Sequence, residues 1–317
     1  MSTRPLRAFL DIRAIEHLTL PDSIKVTWVA PSVIDRLHAE FSLRKLTYRS
    51  NTILLCFHGL PPLFRAYGRV LVFVQNRLLI ENIDISLYPL RIRTRLAMER
   101  LWFRAFRNQC NHYIVQTHSM KTSLRKRVGE NIPISLLNFM PAENVTSDQL
   151  AEVHVRKYDF VYVASGEAHK NHLLLLNAWQ MLADDGLSPS LALTIDPDLY
   201  PDISAAILKS QNHTLVNITN LGHVPPATVS MLYKSSGALI FPSKVESLGL
   251  PLIEANQLGL PIIAAELDYV RDIVIPVETF DPDSAVSIAR AVRRFLGIST
   301  PPASICTAEQ FLEMAFK

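Results

Sequence analysis

At 317 residues the chain is long for one globular domain and a comfortable length for two. Its 49% hydrophobic and 19% charged residues make an ordinary folded composition, which argues against disorder. The net charge of +3 hides an asymmetry: residues 1–150 hold 21 Lys/Arg against 11 Asp/Glu, and the remainder hold 11 against 18. No apolar run approaches the roughly 18–20 residues of a membrane-spanning helix, and "MSTRPLRAFLDIRAIEHLTL" lacks the apolar core of a signal peptide. Cys56, Cys110 and Cys306 share no metal-ligand spacing and are too few for a disulfide framework. A cytoplasmic address follows, and the sequons at Asn144, Asn212 and Asn217 then read as chance matches.

The segment "RPLRAFLDIRAIEHLTLPDSIKVTWVAPS" reads as a long helix followed by a strand at 24–30. Further strands are expected at 52–57, 69–75, 112–117 and 134–139, with helices at 33–48, 92–109 and 118–128. Ten basic residues and the single acid Glu99 fall within 91–127. There Leu90, Leu101, Trp102 and Phe106 sit among arginines, a pattern that fits either a membrane-surface helix over 91–107 or a core helix with a solvated arginine face. The basic first half favours an anionic membrane; no sequence pattern for binding nucleic acid is present, so nucleic acid is not expected as a partner.

After a polar break at 141–157 the strand–helix alternation restarts. Strands are expected at 160–165, 191–196, 215–219, 238–243 and 261–266, and helices at 171–184, 202–209, 226–235, 250–258 and 283–296. Buried strands alternating with helices imply an α/β chain of two doubly wound parallel sheets. The expected domains are 1–145 and 158–300, with 301–317 a C-terminal helix packing back toward the first. Ligands of such folds bind beyond the carboxyl ends of the strands. In the second half those ends carry "SGEAHKN", "LGHVPP", "PSKVESLG" and "AELDY", four polar loops suited to a shared pocket.

The stretch "FPSKVESLGLPLIEANQLGLPIIAA", 241–265, sets Glu246 and Glu254 eight positions apart around a Gly-Leu-Pro turn. Gly249 and Pro251 mark a helix start, whose amides and positive dipole end suit a phosphate. Phosphate would repel the two acids, whereas carboxylates accept hydrogen bonds from paired sugar hydroxyls. A ligand with phosphates in the middle and a sugar at each end satisfies both, and that ligand is a nucleotide-sugar. On the residues alone, Glu254 also fits a first-turn dipole partner, Lys170 a solvated loop lysine, Glu246 a surface acid and His58 a core or cap histidine.

"ESLGLPLIEA", with "ALIFPS" before it and "GLPIIAAELDYVRDIV" after it, resembles the signature of family-4 retaining glycosyltransferases of the GT-B fold. "SGEAHKNHLLLLNAW" resembles that family's phosphate-lysine loop, and "NLGHVPPATVSMLYKSSGALIFPS" its base-contacting segment, where His223 and Val224 fall. "CFHGLPPLF", "VLVFVQN" and "IVQTHSMKTSL" are similar to bacterial O-antigen mannosyl- and rhamnosyltransferases. The resemblance implies two Rossmann-like domains facing a cleft. It implies that Glu246 contacts donor-sugar hydroxyls, Glu254 the nucleotide ribose, and Lys170 with the amides of Leu248, Gly249 and Leu250 the diphosphate. Ser165 stands where the family has an arginine, with His169 able to compensate for the charge. Gln75 stands where a histidine closes a first-domain strand near the reacting sugar, His58 joins it as a candidate catalytic group, and Ser243 lies at the strand end beside the helix start.

The resemblance further implies hexose transfer, with retention, to a lipid-linked or lipopolysaccharide glycan at the inner face of the plasma membrane, without cofactor or metal. The Asp-Pro-Asp triplets at 196–198 and 281–283 are read as helix N-caps rather than metal ligands. No glycine precedes Gly59, so the Gly-rich loop that opens this family, and with it the first strand, is expected to be missing through truncation, a misplaced start or divergence. A catalytically impaired GT-B protein that binds nucleotide-sugar or a partner transferase is the alternative, and a sugar-nucleotide epimerase on the same fold the third reading.

Overall fold

The computed structural model describes residues 6–16, 18, 20–48, 51–86, 88–137, 155–298 and 306–316. These fall into two compact units: the residues up to 137 together with 246–248, and residues 155–245 together with 249–316. Most of the polar break expected at 141–157, up to 154, lies outside the described residues.

The first described element is a strand, not a helix. β1 (Leu6–Asp11) pairs in parallel with β2 (Ile24–Val29), from Leu6 opposite Ile24 to Asp11 opposite Val29. The Asp11 carboxylate accepts the Arg13 amide at 2.9 Å and so caps a single 3-10 turn, Ile12–Ala14, which ends the strand. The expected long helix, and the expected absence of a strand before β2, are thereby corrected. The glycine-free opening remains as the sequence has it.

α1 (Val33–Leu46) follows, capped by Ser32, whose hydroxyl accepts from Asp35 N. Then β3 (Ile53–Cys56), β4 (Arg69–Phe73), β5 (His112–Val115) and β6 (Ile134–Leu136) form a parallel sheet in that order, separate from β1–β2 among the described residues. Between β4 and β5 run α2 (Arg77–Ile80) and α3 (Leu90–Phe106), and α4 (His118–Val128) joins β5 to β6. Val70, Val72, Tyr113, Val115, Met120 and Leu124 make a dry core in which each is 1% exposed or less.

The second unit is built on β7 (Tyr158–Tyr162), β8 (Leu191–Leu193), β9 (Ile218–Asn220), β10 (Ser236–Phe241), β11 (Ile262–Ala265) and β12 (Glu278–Phe280). All pair in parallel, in the order β12-β11-β10-β7-β8-β9. The connecting helices are α5 (His172–Asp184), α6 (Pro201–Ser210), α7 (Pro226–Lys234), α8 (Leu250–Gln257), α9 (Asp268–Arg271) and α10 (Ala285–Phe295). The chain moves outward from β7 to β9, then returns to place β10 on β7's other side. The strand order therefore reverses between β7 and β10, and ligands of open α/β sheets bind at such a reversal, beyond the strand ends. β12, α2 and α9, three or four residues each, add to the elements expected from the sequence.

α11 (Ala308–Ala315) carries a capping box between Thr307 and Gln310, and every described residue from 306 to 316 is exposed.

Trp179, 1% exposed, stacks edge-on against Phe160 at 5.6 Å and donates its indole N–H to Pro189 O at 2.9 Å. Trp179→Phe keeps a ring but strands that carbonyl, and should lower the unfolding free energy by about 1–3 kcal/mol. Trp179→Ala, which also opens a cavity, should cost about 3–5 kcal/mol in the same urea titration.

Candidate functional site

The loop leaving β7 is held on all sides. Tyr162 OH donates to Lys170 O at 2.8 Å, and buried His172 donates its Nε2 proton to Ser165 O at 2.8 Å. Asn171, at φ 64°, is the one non-glycine residue with positive φ among the described residues. Its carboxamide nitrogen donates to Pro242 O at 3.2 Å and to Pro282 O at 2.7 Å. His169 O accepts the Lys244 amide at 2.8 Å and the Ser243 hydroxyl at 3.4 Å, and Tyr269 OH donates to Ser243 O at 2.6 Å. The residues after β7 and those after β10 are thus stitched together at the topological reversal. Burial holds the His172 pKa down at about 4, so the ring stays neutral.

Beside this loop lies a cavity of about 250 Å³. Three residues anticipated from sequence, Ser165, His223 and Val224, line it together. Thr194, Asp196 and Tyr200 line it too, and sequence reasoning missed them. Tyr200 OH donates to Glu167 Oε1 at 2.7 Å, while the Ser165 hydroxyl donates to Glu167 Oε2. Burial pushes the Glu167 carboxyl up, but these two hydrogen bonds, together with a backbone amide and the nearby His169, leave the group below the usual carboxylate range. Burial, then the Glu167 carboxylate, pushes the Tyr200 phenol up to about 12, so it remains a donor. A Cβ on Gly166 would lie 2.4 Å from the Tyr200 ring, so only glycine lets the ring lie against the loop.

The β10–α8 connection carries the paired acids. Buried Gly249, at φ 69°, is the N-cap of α8, and Pro251 occupies its first turn. Leu248 is buried and Leu250 exposed beside it. Within the first turn of α8, Pro251 has no amide and Leu252 N donates to Gly249 O at 2.9 Å, which leaves Leu250 as the opening amide without a carbonyl one turn earlier. Half-buried Glu254 accepts Tyr233 OH at 3.1 Å through one oxygen, and Glu246, also half-buried, lies on the connection itself.

The two first-unit candidates occupy strand ends. Gln75 follows β4, and Asn76 after it caps α2 by accepting Leu78 N at 3.0 Å. His58 follows β3, where Arg36 Nη2 lies 2.6 Å from its Nε2 and pairs at 2.9 Å with buried Glu40. Surrounding protein, then the Arg36 charge, lowers the His58 pKa, so Nε2 acts as the acceptor of this contact.

The Asp-Pro-Asp triplets do not cap helices as expected. Asp196 accepts the amides of Asp198 and Leu199 at 2.9 and 3.3 Å in a local turn, and the N-cap of α6 is Tyr200. Asp281 likewise accepts Asp283 N at 2.9 Å, Asp283 pairs with Lys244, and Ser284 caps α10. In both places the turn formed two residues earlier took the carboxylate away from the helix. Among the described residues no three His, Cys, Asp or Glu side chains gather to hold a metal.

Residues 149–305 match the family model for glycosyl transferases group 1. Over 189 residues the chain is 25% identical to the serotype-specific mannosyltransferase WbdA of Escherichia coli, an alignment covering 59% of this chain and 23% of that one. The chain therefore spans about a quarter of that curated relative. Its fold is similar to an α,α-trehalose-phosphate synthase (UDP-forming) from Burkholderia vietnamiensis, at a TM-score of 0.64 and 10% identity, over 93% of this chain and 92% of that one. It is also similar to the lipopolysaccharide outer core galactosyltransferase WaaB, at 0.59 and 15%, over 87% and 76%. These likenesses establish the GT-B fold that the sequence implied.

His172 makes the loop sensitive to acid. The unfolded chain takes up its proton near pH 6.5, whereas the folded ring resists until about pH 4, so its share of stability is complete above 6.5 and lost as pH falls toward 4. Between those values the wild type should lose up to about 3 kcal/mol more than His172→Gln in denaturant titrations. Parallel pH profiles would show that His172 is not held neutral.

Proposed function

We propose that the protein is a retaining glycosyltransferase that moves a hexose, mannose- or rhamnose-like, from a nucleotide-sugar to a lipid-linked or lipopolysaccharide glycan. The observation that carries the reading is the arrangement at the reversal between β7 and β10. A cavity lined by Ser165, Tyr200 and His223 adjoins the Lys170 loop, which is bonded to the chain leading into α8. The match of residues 149–305 to the group 1 family model and the mannosyltransferase relative support it.

In this reading the nucleobase enters the cavity beside Tyr200, and Glu254 accepts ribose hydroxyls. The diphosphate meets the Lys170 ammonium and the opening amide of α8, with no metal ion called for. Glu246 accepts hydroxyls of the donor sugar. As the bond from the anomeric carbon to the diphosphate breaks, negative charge grows on the leaving oxygen. Fixed donors aimed at that charge stabilise it more than they stabilise the intact donor, which is the condition for acceleration. The acceptor hydroxyl bonds to the same face of the anomeric carbon and gives its proton to the departing phosphate.

Calorimetry with UDP and GDP tests the reading: at least one should bind the full chain, and failure of both would overturn it. Lys170→Ala should weaken the binding of that diphosphate far more than of its nucleoside, because the ammonium meets only phosphate. Equal losses would contradict the assignment. Glu246→Gln should cut sugar transfer more than tenfold, about 1.4 kcal/mol of transition-state stabilisation, with the thermal melt unchanged.

A further inference from the structure

The face of α3 that points away from the first unit's core has a composition that solvent alone does not explain. Leu96 and Phe103, 1% and 3% exposed, form the inward face. At about 100° per residue, Leu90, Thr94, Ala97, Met98, Leu101 and Ala105 fall on the opposite side in one stripe roughly 100° wide. All six are exposed, with Leu90 at 71%, Met98 at 66% and Leu101 at 68%. Arg93 and Arg104 border the stripe on one side, Arg91 and Arg95 on the other, and all four are exposed. Arg95 meets Glu99 at 3.5 Å, an exposed pair of little strength.

The structure also sorts this face from residues that the sequence had grouped with it. Arg100 is turned inward, donating Nε to Leu78 O at 2.8 Å and Nη2 to Glu81 O at 3.0 Å, and so belongs to the scaffold. Trp102 is half-buried, with its indole N–H on Pro61 O at 2.9 Å, and Phe106 is half-buried too.

We propose that α3 is a peripheral membrane-docking helix that lays its Leu90–Met98–Leu101 stripe into the interface of an anionic lipid surface. An apolar stripe with cations along both borders matches such a surface, where the acyl boundary takes the leucines and the arginine stems reach up to phosphate. The four exposed arginines along the borders, Arg91, Arg93, Arg95 and Arg104, supply the complementary charge. No helix among the described residues is long and apolar enough to cross a membrane, so the docking is lateral. The proposal stands on the first unit's surface alone and does not rest on the donor-site reading.

Flotation of the full chain with vesicles tests it. The protein should bind phosphatidylglycerol–phosphatidylcholine vesicles at least tenfold better than pure phosphatidylcholine. Binding should weaken as salt rises from about 0.1 M to about 0.5 M, because the screening length shortens. Replacing Arg91, Arg93, Arg95 and Arg104 together by Gln should lower affinity by about six-hundredfold, each charge near such a surface contributing about fivefold. Met98→Ser with Leu101→Ser should lower it about tenfold, since apolar burial is lost while the charge stays. Thermal melts should match the wild type, because the substituted side chains are exposed. Absence of vesicle binding would overturn the proposal, as would full binding by either variant. Tighter binding of a short duplex DNA than of the anionic vesicles at the same salt would instead assign the face to nucleic acid.

Discussion

The second unit's site depends on one side chain in an unusual backbone state. Asn171 adopts the left-handed conformation and uses its carboxamide to clasp the carbonyls of Pro242, after β10, and Pro282, after β12. Proline leaves its own residue without an amide, so carbonyls in proline-rich loops need donors from elsewhere. Asparagine tolerates positive φ better than most residues and supplies two donors from a short stem. A residue unable to do both would pay roughly 1–2 kcal/mol in backbone strain and leave buried acceptors unpaired. Three strand ends are tied by that clasp, and Lys170 and His172 flank it in sequence.

The cavity is organised by a second, polar lock. Glu167 accepts hydrogen bonds from Ser165 and Tyr200 together, so the loop after β7 and the turn before α6 share one carboxylate. Tyr200 can lie against the loop only because Gly166 lacks a Cβ. Hydrogen bonds to a carboxylate are stronger than neutral ones and gain further from partial burial. The wall of the cavity is therefore set before any ligand arrives, which lowers the ordering cost of binding. α3 shows a different economy: its inner face is spent on the core, while its outer face keeps apolar surface in water with arginines on both borders.

Much of this was legible in the sequence, for reasons that are local. The loops that carry Ser165, His223 and Val224 were visible because strand ends in a parallel sheet converge, and the family resemblance singled out the three residues within them. Gly249 and Pro251 announced the start of α8 by backbone chemistry alone. Other features depend on partners distant in the chain. Glu167 and Tyr200 are 33 residues apart, and neither matters until β8 brings the second beside the first. Arg100 reads as one more surface arginine until the carbonyls of Leu78 and Glu81 are placed beneath it. β1 was misread because its six residues mix Leu, Ala and Phe with charges at a spacing that also fits a helix, and only its pairing with β2 decides the matter. The Asp-Pro-Asp triplets misled in the opposite way: aspartate near a helix start favours capping, but here a tight turn reached each carboxylate first.

The proposed nucleotide-diphosphate site at the reversal between β7 and β10 uses loops already fixed in place. Amide hydrogen exchange of the full chain, with and without a saturating nucleoside diphosphate, tests it most directly. The account predicts slowed exchange confined to 163–171, 194–200, 222–225 and 246–252, with the core strands unchanged. Protection elsewhere in the chain, with those four segments exchanging as before, would contradict it.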